Sequence, residues 1–101
     1  MTFTEIFEKQ SGEKLPKAID YTGRLPEGTT VSSATMSAIL YPDGTDMTAT
    51  VLDGVATVTT TRITQMVKAG VSGKDYRITY QANLSGGGIL EDDLLMQVRD
   101  L

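Results

Sequence analysis

The sequence has no cysteine and no histidine. Without Cys there is no disulfide, no thiolate nucleophile and no Cys-based zinc site. Without His, the usual general base of hydrolytic triads is missing. Tryptophan is absent too, and aromatic residues make up only 6% of the chain. A core must then be built from Val, Ile, Leu, Met, Ala and a few Tyr. No apolar run approaches the roughly 20 residues that span a membrane as a helix. The stretch from Met1 to Gln10 carries Glu5 and Glu8 and no apolar block, so a secretory signal is not expected. Basic residues number nine against thirteen acidic ones, for a net charge of −4. That balance argues against nucleic acid or an anionic membrane as partner. The chain is expected to be soluble and cytosolic when made.

What is present amounts to one domain. With 101 residues and 40% apolar content, the chain can fill one two-layer core but not a deep enclosed active site as well. Residues 1–14 differ in character from the rest. Thr2 and Glu5 have capping-box spacing, and Glu5 stands four before Lys9. A short helix or an extended docking arm fits this segment, with Ile6 and Phe7 as its apolar face.

From Lys17 onward the pattern is that of strands, rich in Thr, Val and Ile. Ser33 to Leu40 alternates, with Ala34, Met36, Ala38 and Leu40 on one face. The runs MTATVL and VATVTT flank Asp53-Gly54, which predicts a two-residue type I′ hairpin with Leu52 opposite Val55. Arg62 to Lys68 continues as strand. In Asp75 to Leu84, the residues Tyr76, Ile78, Tyr80, Ala82 and Leu84 share one face. A last strand contains Leu94, Met96 and Val98. About seven strands with turns every 8–12 residues or so predict an all-β fold, an immunoglobulin-like antiparallel β-sandwich over residues 15–101. Tyr76 lies two residues before the inward Ile78, which is tyrosine-corner spacing.

Candidate chemistry is thin. Glu91, Asp92 and Asp93 could bind a cation, but neighbours on a strand point to opposite faces, so a solvated strand edge is expected. Ser85, Gly86, Gly87 and Gly88 would cradle phosphate only if a helix followed; here a strand follows, and the stretch reads as a hairpin tip. Ser and Thr are plentiful, but no base accompanies them. The Thr-rich run 57–61 reads as exposed strand surface. No catalytic residue, metal site or cofactor is expected, and the protein is read as not an enzyme.

Several stretches, taken in order, resemble a family. Lys9-Gln10-Ser11-Gly12-Glu13 followed by Ala18-Ile19-Asp20-Tyr21 resembles the opening of bacteriophage and prophage fiber–tail adaptors. Val31-Ser32-Ser33-Ala34-Thr35 is similar to an early strand of that family. Thr64 through Tyr76-Arg77-Ile78-Thr79 resembles its Gly-rich turn and following strand. Leu84 through Arg99, with Gly86 and Glu91-Asp92, resembles its closing hairpin. Tyr21 and Met66 stand where the family often has Trp, and Ser11 where Pro is common. The resemblance implies a virion structural protein of the tail or neck, present in several copies and assembled in the host cytoplasm. It implies other tail and neck proteins as partners and a homo-oligomer. The docking residues expected are Phe3, Ile6 and Phe7 of the arm, with Ser85, Gly86, Gly87, Gly88, Glu91, Asp92 and Asp93 of the last hairpin. The rival reading is an immunoglobulin-like adhesion or carbohydrate-binding module of a larger surface protein.

Overall fold

A computed structural model describes residues 2–101. Seven strands and one helical turn follow in order: β1 (Glu5–Lys9), β2 (Leu15–Asp20), β3 (Val31–Tyr41), α1 (Thr48–Val51), β4 (Leu52–Val58), β5 (Arg62–Val67), β6 (Asp75–Leu84) and β7 (Ile89–Val98). They form two sheets, ordered β1-β7-β6-β3 and β2-β5-β4. The sheets enclose one core, as a β-sandwich does. No helix among the described residues is long and apolar enough to cross a membrane.

Period-2 patterning explains the packing. Every second residue of β6 is buried, from Tyr76 to Leu84. These meet Leu94 and Met96 of β7 on the same sheet, and Ile19, Ile63 and Val67 of the other sheet. Each buried aliphatic side chain of this kind contributes roughly 1.5–3 kcal/mol relative to exposure. Tyr80 also ties the layers together, its hydroxyl donating to the Lys17 carbonyl of β2 at 2.8 Å. Tyr76 accepts a hydrogen bond from the Val71 amide at 2.9 Å, which is the closure that the tyrosine-corner spacing anticipates.

One expectation needs correction, and one alternative left open by the sequence is decided. The first is the Asp53-Gly54 hairpin. Leu52 does not oppose Val55, because β4 runs through Asp53 and Gly54 and pairs with β5. The reversal comes earlier. The Thr48 amide and hydroxyl both donate to the Asp46 carboxylate, and Met47 to Val51 coils into α1, the Val51 amide donating to the Met47 carbonyl at 3.0 Å. Coiling buries the consecutive residues Val51 and Leu52 together, which a hairpin strand would send to opposite faces. Gly54 keeps a positive φ of 73° inside the strand, at an irregularity between Asp53 and Thr57. There the Gln65 side-chain amide donates to the Asp53 and Gly54 carbonyls and replaces missing ladder bonds.

The second concerns the N-terminal segment. Glu5–Lys9 is extended, not helical, and runs parallel to β7, with Ile6 level with Leu95 and Lys9 level with Val98. The four-stranded sheet is therefore not purely antiparallel. Lys9 anchors the end of β1. It is buried, and its ammonium donates to the Gln10 and Ala69 carbonyls at 2.6 Å each. Burial pulls its pKa below the ordinary lysine range.

Candidate functional site

The residues expected to dock fall into separate places. In the arm, Phe7 turns inward and packs on the core, with the Lys17 ammonium 4.5 Å from its ring centre. Lys17 also pairs with Glu5, which closes the gap between β1 and β2. Ile6 turns the other way and is 58% exposed on the outer face of the four-stranded sheet. Phe3 sits edge-on against Tyr41, ring centres 5.3 Å apart. Tyr41 ends β3, the opposite edge of that sheet.

Ser85 to Gly88 forms an exposed tip joining β6 and β7. It is tightly bonded. The Leu84 amide donates to the Gly88 carbonyl and the Gly87 amide to the Leu84 carbonyl. Ser85 is held to Thr30 in both directions, amide to carbonyl and Thr30 amide to hydroxyl. Gly87 takes a φ of 94° in this turn, a conformation L side chains rarely adopt. Just beyond the tip, Ile89 is 59% exposed.

The acidic run splits as its alternation requires. Glu91 is exposed. Asp93 accepts from the Thr79 hydroxyl at 2.8 Å on the outer face. Asp92 points inward opposite Tyr80 and is buried. Arg24 pairs with it at 2.9 Å, and the Thr4 hydroxyl donates to it at 2.8 Å. Among the described residues no group of acids could hold a metal ion. Asp92 is thus occupied within the fold. Arg24 and Thr4 were not singled out in the sequence; neither has a local signal, since their partner lies some 70 to 90 residues away.

Tyr21, directly after β2, is fully buried with the Arg24 guanidinium over its ring. Burial, and then the Asp92 charge, push its phenol up to about 12.

A groove of about 310 Å³ opens on the side where β3 and β4 form the free edges of the two sheets. Ala34 and Met36 line it from β3, with Leu52, Val55 and Ala56 from β4 and Gln65 at its base. Val55 is almost fully exposed at its rim. The groove carries no acid–base pair; Thr48 and Gln65 are the residues with polar side chains along it.

No curated protein matches the chain. A family model described as "Podophage GP4 fiber-tail adaptor protein gp77" matches residues 9–97. That span runs from the buried Lys9 through β2 to β6 and takes in β7 as far as Gln97. The chain therefore belongs to the podophage fiber–tail adaptor family.

Proposed function

We propose that this protein is a non-enzymatic structural adaptor of a phage virion, linking tail or neck components through protein–protein contacts. The observation that carries the reading is family membership over residues 9–97. The geometry supports it. An adaptor needs at least two contact surfaces on one rigid body. Ile6 and Ile89 are both large, exposed and apolar. Ile6 is level with Leu95, six residues along β7 from Ile89, a separation of about 20 Å at strand rise. One component would bind the arm around Phe3 and Ile6, the other the tip from Ser85 to Ile89 with Glu91 and Asp93. The arm and the tip are fixed in place beforehand, so little ordering entropy opposes binding.

Strand order supports an immunoglobulin-like arrangement for this body. β2-β5-β4 follows the B-E-D order, and β3-β6-β7 the C-F-G order, of that sandwich. The Tyr76 closure belongs to the same pattern.

The test is binding of purified variants to the tail components of the parent phage. Ile6→Glu and Ile89→Glu replace exposed side chains and leave circular dichroism unchanged. Each is expected to weaken binding to a different component by about tenfold or more, the scale of a lost interface anchor. Full binding by both variants overturns the assignment of the surfaces. Absence of the protein from purified virions by mass spectrometry overturns the role itself.

A further inference from the structure

The outer edge of β3 is occupied over only part of its length. At Ala38 the amide donates to the Thr48 hydroxyl, and the carbonyl accepts from the Met47 amide at 2.8 Å. At Leu40 the amide donates to the Thr45 carbonyl, and the carbonyl accepts from the Gly44 amide. Even-numbered backbone groups of β3 therefore face away from β6. The β3–β6 register is unbroken from Ser33 to Tyr41, so Ala34 and Met36 present amide and carbonyl to the same side. There they meet no partner among the described residues. The free window is bounded below by Val31, whose amide donates to Thr60, and above by Ala38.

Open edges are normally blunted by charge, proline or a bulge. Here β1, β2 and β4, also at sheet edges, carry charged residues: Glu5, Glu8 and Lys9 on β1, Lys17 and Asp20 on β2, Asp53 on β4. The longest edge strand, β3, has none, and no charged residue occurs between Glu27 and Asp43. In a chain of net charge −4, such a neutral strip lets two copies pair without setting like charges directly opposite one another. The strip is also self-complementary in an antiparallel sense. With a two-fold axis at Thr35, Ala34 of one copy faces the partner's Met36, and both expose donor and acceptor. About four backbone hydrogen bonds then form across the axis. Paired residues point to the same face, so the partner's Met36 enters the groove over Leu52 and Ala56.

We infer that two copies associate through antiparallel pairing of β3 at Ala34–Met36, with Met36 filling the neighbouring groove. This rests on the adaptor reading only for its purpose; the contact is separate from the Ile6 and Ile89 surfaces. Purified full-length protein is examined by sedimentation velocity across a concentration series. A dimer is expected, weakened at least tenfold by Thr35→Lys, which sets two ammonium groups face to face at the axis. Thr35 is exposed, so that variant keeps its fold. Met36→Ala, which empties the groove, is expected to weaken the dimer as well. Ile6→Glu and Ile89→Glu leave it intact. A wild type that stays monomeric up to about 1 mM, the weak end of association, overturns the inference. So does a dimer indifferent to both β3 variants. Either result leaves binding to tail components through Ile6 and Ile89 standing, and loss of that binding alone leaves the dimer standing.

Discussion

The Arg24 guanidinium lies 2.9 Å from the carboxylate of Asp92, which is only 7% exposed. Asp92 occupies an inward position of β7, opposite Tyr80. A carboxylate there must be paired, because burying it alone costs several kcal/mol. Arg24 comes from the loop after β2, and Thr4 from just before β1. The pair thus joins the two sheets at one edge. Arg24→Ala leaves Asp92 with the Thr4 hydroxyl alone. A loss of about 1–2 kcal/mol is expected, below the full cost of a broken buried pair because the Arg24 side chain is 42% exposed. Urea titration of Arg24→Ala, Asp92→Ala and the double variant checks this. Additive losses would mean that the two side chains do not cooperate.

Tyr21 and Tyr80 are both fully buried, but their hydroxyls are treated differently. The Tyr80 hydroxyl donates to Lys17, whereas that of Tyr21 has no hydrogen-bond partner among the described residues. Tyr80→Phe is therefore expected to cost about 1 kcal/mol, and Tyr21→Phe to be neutral or to gain up to about 1 kcal/mol. Burial raises both phenols above their ordinary value of 10, Tyr21 to about 12. A folded pKa above the unfolded one gives stability that is intact below pH 10. It is lost as pH rises from 10 towards about 12. Lys9, pulled down by burial, acts with the opposite sign. The difference between wild type and Tyr21→Phe isolates the phenol. That variant should lose less stability than wild type between pH 10 and 12, measured by urea midpoint. Equal losses would show that Tyr21 ionises freely in the folded state.

The long strands were legible in the sequence because their alternation is unbroken. Ala34 to Leu40 and Tyr76 to Leu84 each put one apolar set on one face, and burial follows that set. The tyrosine corner was legible from spacing alone. β1 was not. Its inward side carries Phe7 but also Lys9, and a buried lysine breaks any apolar pattern. What makes Lys9 tolerable is a set of carbonyls, one of them sixty residues away. The turn at Asp53-Gly54 misled for a related reason. The pair has the composition of a tight hairpin, yet burying Val51 and Leu52 together outweighed local turn preference. Asp92 read as part of a solvated acidic edge, since nothing near it in sequence foretells Arg24. The neutral character of β3 was visible throughout. Its meaning depended on knowing that β3 stands at an edge.

Gly70 has two constraints that can be separated. Its φ is 93°, and a Cβ there would lie 2.7 Å from a methyl carbon of Val98 and 3.2 Å from the Tyr76 ring. The turn around it is crowded by design of the corner. Val71 donates to the Tyr76 hydroxyl, Gly73 to the Val98 carbonyl, and Val98 to the Lys74 carbonyl. Ala69 beside it also has positive φ, at 54°, and its carbonyl accepts from Lys9. Gly73 shares the backbone constraint, with φ of 91°, but a Cβ there meets nothing within 4 Å. Gly73→Ala should therefore cost only the strain of the left-handed region, about 1–2 kcal/mol. Gly70→Ala adds overpacking against Val98 and Tyr76, roughly 1–3 kcal/mol more. Thermal and urea unfolding of the two variants, side by side, measure the difference. If the losses prove equal, the Val98 side chain gives way freely, and the corner is looser than its contacts imply.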